Sequence, residues 1–358
     1  LSLLPRQQYI DGVSTEQSIA YQALCMEWLL YVQHVAIRSR ERVHDFLRRG
    51  SRFLVSILDE KGNAPKIGDL DNCSILRFAI SYQGYICSVC GAAAHVVGDP
   101  YGIPSSYRSD LRLRLLGKNP LKSKHIPQSV HFPKGGYTIL RYQSIHVVMD
   151  HGPLGFDSTG GHGHSDALAV WMHRDGIPIW IDWGMYRYNG KDCLRSFARS
   201  TYAHNTVVLN GVSQSIMSGP FNWSRRASCF VNTVRLYENQ ISAEHDGYSN
   251  RHRRRVWLKG EDIEIEDHIL GDWDGTVEVC FWLAGHLTAI PCHNGWIITD
   301  KDGEIATFLL KDSRFIQTKQ DMQVHGFAYN QCAPATGLIW KATGVQQWKI
   351  TWEWKKEI

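Results

Sequence analysis

The hydrophobic pattern of this chain changes period near residue 130, and that change constrains the fold more than any single motif. In "ERVHDFLRRGSRFLVSILDE" the apolar residues Val43, Phe46, Leu47, Phe53, Leu54 and Ile57 recur at steps of three and four, the spacing of one helix face. "EQSIAYQALCMEWLLYV" is apolar nearly all round, as expected of a helix buried between others. A third helical stretch is expected from about Ile75 to Val97, and prolines and glycines in "GDPYGIPSSYRSD" and "LGKNPLKSKHIPQ" then end the helical region. Beyond it, "GYTILRYQSIHVVMD", "ALAVWMHRDGIPIWIDW", "HNTVVLNG", "RRRVWLKGEDIEIEDHIL", "TVEVCFWLAG" and "GWIITDKDGEIATFLLKD" are rich in β-branched and aromatic residues. Asp175-Gly176 and Asp302-Gly303 each join two such runs, a strong hairpin cue. So many strands without intervening helices imply packed antiparallel sheets. The expected fold is α+β and multidomain, helical over 1–125 and an antiparallel β-sandwich over 126–358.

The 358 residues suffice for one large domain or two ordinary ones, each with a core. Thirteen Trp and fifteen Tyr suit either sugar-binding faces or large β-sheet cores. A net charge of +4 tolerates an acidic partner without announcing one. Of nine scattered cysteines only Cys87-x-x-Cys90 forms a close pair; a zinc ribbon needs a second, so buried free thiols are expected. No apolar run is long enough to span a bilayer, and no signal peptide opens the sequence, which begins like the middle of a protein.

One stretch carries chemistry. In "GGHGHSDALAV" (160–170), an extended backbone would put His162, His164 and Asp166 on one face. Asp182 ends the apolar run "GIPIWIDWG", where a carboxylate is costly unless paired or metal-bound, and His204 precedes the next strand. Two histidines and an aspartate from neighbouring strands make a tetrahedral zinc site, or they are unrelated polar residues at strand ends.

"GGHGHSDALAVWMHRDGIPIWIDWGMYRYNG" followed by "RSFARSTYAHNTVVLNGVSQS" resembles the core signature of the heparinase II/III family of polysaccharide lyases. "DGVSTEQSIAYQ" and "EHDGYSNRHRRRV" resemble further segments of that family, so the likeness runs in order from Asp11 to Asp267. The resemblance implies the C-terminal part of an α/α toroid followed by the β-sandwich. It also implies β-elimination on an acidic, uronic-acid-containing polysaccharide or oligosaccharide, in the periplasm or outside the cell. Tyr21 and His162 then take the acid and base roles, and His164, Asp182 and His204 hold a structural Zn2+ that locks the strands presenting His162. Because His162 and His164 do different work, the glycine-rich loop is expected to bend, leaving Asp166 to stabilise it. A tyrosine with an ordinary pKa of about 10 is a poor base at neutral pH, so a base role needs nearby cations or the neutralised substrate to lower it.

Other residues carry two readings each. Arg199 either meets a substrate carboxylate or forms a strand-end salt bridge. Glu16 either orients Tyr21 or sits in the first helical turn behind a Ser14 or Thr15 cap. Tyr186 and Tyr188 either line a sugar groove or pack as strand residues. "KIGDLDNCS" resembles the family's "GD-x-D-x-G" loop, but Cys73 replaces a glycine, and Asp69 and Asp71 are read as helix caps. The "RHRRR" run at 251–255 splits its charges over two sheet faces and is read as a solvated strand, not a nucleic-acid site. Only ten residues precede Asp11, so the family's carboxylate-neutralising Asn or His is expected upstream, in a longer lyase, unless this is a reduced relative. Two other functions stay open: a non-catalytic glycan-binding or assembly protein, and a zinc hydrolase activating water at His164, Asp182 and His204. The polymer and the oligomeric state are not legible.

Overall fold

Helix α1 (Ile19–Val32) starts where the backbone first permits it. Gln17 has φ +54°, outside the helical region, and Ser18 caps the helix by accepting the Tyr21 N–H at 3.2 Å. The expected cap at Ser14 or Thr15 is therefore wrong, and Glu16 lies before the helix rather than in its first turn. The chain is described here by a computed structural model, covering residues 3–33, 40–71, 73–76, 82–157, 159–189, 193–322, 326–328 and 331–355. Helices α2 (Arg40–Ile57) and α3 (Tyr82–Val96) pack with α1, and the short α4 (Leu111–Leu115) follows. The expected start of α3 at Ile75 is not observed: the Ile75 and Leu76 amides donate to buried Glu27 of α1 instead, and residues 77–81 lie outside the described residues.

Two large antiparallel sheets follow. Among the described residues, the first runs in the order 130–132, 137–142, 145–150, 170–174, 177–180, 276–283, 335–343, 316–322, with 207–209 also paired to 276–283. The second runs 288–292, 295–300, 303–310, 347–354, 262–269, 252–259, 240–245, 229–235. Both hairpins expected from Asp-Gly pairs form, and at the first, Asp175 and Gly176 both take positive φ (+53° and +65°), as a two-residue hairpin turn requires.

The two sheets bury different patterns, and the difference follows from their neighbours. In the second sheet 252–259 and 262–269 alternate buried and partly exposed residues, so one face meets solvent. Strands 137–142 and 145–150 of the first sheet are buried almost continuously because both faces are covered. Leu140, Val147, Met149, Val170 and Met172 join the core between the sheets. Ile139, Val148 and Trp171 join the core beneath the helices. The abundant tryptophan is mainly core: Trp171, Trp180, Trp183, Trp296, Trp340 and Trp352 are fully buried, and Phe308 sits among Trp180, Trp340 and Trp352 with centroids 5.0–5.4 Å away. All nine cysteines are free, but Cys73, Cys193 and Cys332 are exposed, contrary to the buried thiols expected. No described helix is long and apolar enough to cross a membrane.

The 251–255 run is only partly solvated. Arg253 and Arg255 pair with Glu244 and Glu266 at 2.7 and 2.6 Å. Arg254 points inward and is fully buried, forked onto Asp267 at 2.7 and 3.0 Å and donating to the Leu168 and Asn205 carbonyls at 3.0 and 2.7 Å. Against the cost of burial, Arg254 and His252 hold the Asp267 carboxyl at about 2, below its ordinary 3.8. Arg254→Met strips the buried Asp267 carboxylate of its guanidinium, leaving only His252 at 2.7 Å, and should cost about 3 kcal/mol in urea unfolding. Asp267 contributes stability that is fully present above pH 3.8 and lost as pH falls through about 2, so acid unfolding of Asp267→Asn should be shallower across that window.

Candidate active site

Four segments meet at the candidate site: the start of α1, the loop 66–71, the glycine-rich loop 160–169, and helix α5 (Leu194–Arg199). Their approach depends on Gly68, which has φ +68°. A Cβ there would lie 2.5 Å from the Gln17 carbonyl oxygen and 2.7 Å from that of His162. The Asp69 amide donates to the His162 carbonyl at 2.8 Å, and the Asp69 carbonyl accepts the Ser18 hydroxyl at 2.6 Å.

The Asp69 side chain is completely buried and gathers three partners. One oxygen takes His164 Nε2 at 3.0 Å and Arg195 Nη1; the other takes Arg195 Nη2 at 2.8 Å and His162 Nδ1 at 3.3 Å. These donors outweigh burial and hold its carboxyl well below the usual range. Asp69 is therefore not a helix cap. Nor is Asp71: its carboxylate accepts the Tyr21 hydroxyl at 2.9 Å and the Cys73 amide at 2.8 Å.

Tyr21 and His162 are brought together. Their rings stack with centroids 3.9 Å apart and planes at 23°. The Tyr21 hydroxyl lies 2.6 Å from that of Tyr188, whose ring faces the Arg195 guanidinium at 5.0 Å. Burial first, then the Asp71 and Asp69 charges, push the Tyr21 phenol above its ordinary 10.0, although the Tyr188 bond opposes this. No cation is among the leading causes of this shift. The segment 160–169 is not the extended strand first read; the strand starts at Val170. His162 has φ +67° and Leu168 +60°, and this bent backbone gives His162 and His164 separate surroundings.

His164, Asp182 and His204 form a second, fully buried cluster, with one potential ligand atom from each lying within 4.8 Å of the others. His204 Nδ1 lies 2.6 Å from Asp182, and burial opposes but does not overcome the Asp182 and Asp166 charges that raise the imidazole's pKa. His164 Nδ1 and His204 Nε2 are buried without a protein partner. Two orphaned imidazole nitrogens and a carboxylate suit a zinc ion, so the residues fit the metal. Asp166 is buried in the same loop, where burial, then the Asp150 charge, push its carboxyl well up.

The remaining expectations divide. Arg199 ends α5, not a strand. It is buried, donates to the Gly219 carbonyl at 2.7 Å and lies 4.4 Å from the Trp223 ring, so its partners are a carbonyl and an indole face rather than a carboxylate. Glu16 makes no hydrogen bond to Tyr21 among the described contacts; its carboxyl is pushed up by burial and drawn down by the nearby His162. Tyr186 is half-buried beside the Arg187 guanidinium, 5.1 Å away, and is not drawn into the Tyr21–His162 cluster. Sequence reasoning passed over Asp69 as a hub although "KIGDLDNCS" had supplied the signal. Arg195 carried no signal: it is one basic residue among many until the fold sets it against Asp69.

Comparison with known proteins agrees with this architecture. The family description "Heparinase II/III-like, C-terminal" matches residues 125–349. Among solved structures, a heparan sulfate lyase from Pedobacter heparinus superposes with a TM-score of 0.77 at 16% identity, covering 99% of this chain and 55% of that one. A heparinase III structure gives 0.72 at 14%, covering 98% and 55%. A Streptomyces coelicolor chondroitin AC lyase, in complex with chondroitin sulphate, gives 0.52 at 11%, covering 99% and 57%. The chain thus spans about half the length of these structures, and at such identities they speak to the fold. No curated protein matches the sequence. With the family description matched over more than half its length, the chain belongs to the heparinase II/III-like family.

Proposed function

We propose that this chain carries the acid–base pair of a polysaccharide lyase that cleaves a uronic-acid-containing glycan by β-elimination. The observation that carries the reading is the stack of Tyr21 on His162 at the meeting point of the helices and the sandwich. Elimination requires removal of the proton beside the carboxylate and protonation of the departing glycosidic oxygen. A phenol whose surroundings raise its pKa stays protonated at neutral pH, which supports Tyr21 as the proton donor and leaves His162 as the base. Arg195 faces the Tyr188 ring beside the pair, its charge matched by Asp69. A polymer of this kind belongs outside the cytoplasm, in the periplasm or beyond.

His164, Asp182 and His204 hold a structural zinc in this reading. Zinc there would supply cross-linking, tying the loop that bears His162 to the strand ends at Asp182 and His204. Full burial of all three residues supports this over a hydrolase, because a polymer bond has no access to a metal-bound water at that depth. A binding-only protein has no use for the acid–base pair.

In the full-length protein, screened on acidic polysaccharides by the ultraviolet absorbance of unsaturated uronate ends, Tyr21→Phe and His162→Ala should each lose about 100- to 10,000-fold in kcat while retaining zinc. Saturated ends would indicate hydrolysis, and tight polymer binding without turnover would indicate a binding role. His164→Ala and Asp182→Asn should lose stoichiometric zinc by elemental analysis. The Tyr21 titration, followed by tyrosine carbon NMR against Tyr21→Phe, should move down in Asp71→Asn and up in Tyr188→Phe, since one change removes a charge that raises the pKa and the other a hydrogen bond that lowers it.

A further inference from the structure

An ionised carboxylate can only accept hydrogen bonds, and its two oxygens offer about four acceptor positions. At Asp69 all four are engaged: two by the Arg195 fork, one by His162 Nδ1 and one by His164 Nε2. Arginine has no acceptor and stays charged, so the forked pair keeps the carboxylate ionised. Each imidazole nitrogen facing Asp69 must then carry a proton, because a bare ring nitrogen would set its lone pair against a carboxylate lone pair at 3.0–3.3 Å. The two histidines present opposite nitrogens to the same group. We propose that Asp69 fixes them in opposite tautomers, Nδ1–H in His162 and Nε2–H in His164, leaving His162 Nε2 for the substrate proton and His164 Nδ1 for the metal.

Two independent features agree with this assignment. His164 Nδ1 is buried without a protein partner in the cluster with Asp182 and His204. The His162 side chain is about a quarter exposed, whereas those of Asp69 and His164 are fully enclosed, so of the three only His162 has a face open to a ligand. Asp69 is thus a positioning residue for both sites: it touches neither metal nor substrate, and it selects which nitrogen of each ring is offered. It also connects the sites physically, since turning the His164 ring on its metal would displace the carboxylate that orients His162.

The inference rests on the lyase reading for the role of His162, but its central claim is tested without activity. Long-range proton–nitrogen NMR of the full-length, zinc-loaded protein with labelled histidine, at a pH where the rings are neutral, reads each tautomer directly. Signals are assigned by their loss in His162→Gln and His164→Gln. The expected wild-type result is Nδ1–H for His162 and Nε2–H for His164; Nε2–H at His162 would overturn the proposal, and this arm needs no variant at Asp69. In Asp69→Asn, whose amide both donates and accepts, His162 should become a mixture of tautomers. With zinc added to saturation, kcat should then fall about 10- to 100-fold with little change in KM. An unchanged His162 tautomer in Asp69→Asn would also overturn it. If the wild type eliminates no polymer, the lyase reading fails while the tautomer measurement still decides the role of Asp69.

Discussion

A single buried carboxylate joins the parts of this molecule that must cooperate. Apolar burial draws the helices onto the first sheet, but that force is non-directional and would tolerate sliding. Asp69 has no such tolerance: its ion pair with Arg195 and its bonds to His162 and His164 are satisfied in one arrangement. Its backbone extends the constraint, because its carbonyl holds Ser18, Ser18 caps α1, and the first turn of α1 carries Tyr21. The position of the Tyr21 ring over His162 is in this sense set from beneath, by a residue that forms no part of the stack.

The same logic recurs on the sandwich side. Arg254, forked onto Asp267, reaches across the core to the carbonyls of Leu168 and Asn205. Leu168 closes the glycine-rich loop and Asn205 follows His204, so the second sheet grips both segments that bear the clustered His164 and His204. The Asn205 side chain adds bonds to the Val170 and Ile181 carbonyls and to the Trp282 amide at 2.6–2.9 Å. The Arg254 guanidinium and the Asn205 amide are tolerated this deep because each finds partners, and those bonds fix the strands in register.

Much of this was legible in the sequence. Periodicity separated helices from strands, Asp-Gly pairs located two hairpins, and the resemblance to a family signature singled out Tyr21, His162, His164, Asp182 and His204. What escaped is equally physical. Alternation made 160–170 look like a strand, since the positive φ of His162, a non-glycine residue, leaves no mark in composition. Asp69 looked like a cap because short acidic residues before a helix usually are caps, and only tertiary structure brings Arg195 and two histidines around it. Arg254 looked solvated because its neighbours are: the alternation rule correctly sent it inward, but the rule is silent on whether an inward arginine finds a partner. Glu16 and the start of α1 were misjudged by a few residues, the distance over which one left-handed Gln17 decides a helix boundary.

The first sheet is covered twice, by the second sheet on one face and by the helices on the other. A division of labour between a helical region and a sandwich is therefore a description of texture rather than a line along which the chain can be cut. Severed after α4, the sandwich would turn Ile139, Val148 and Trp171 out to water as one contiguous apolar surface on a flat array of strands, the kind of surface that recruits other chains. Evolution can exchange what the helices present on their outer surface. It cannot dispense with them as a roof.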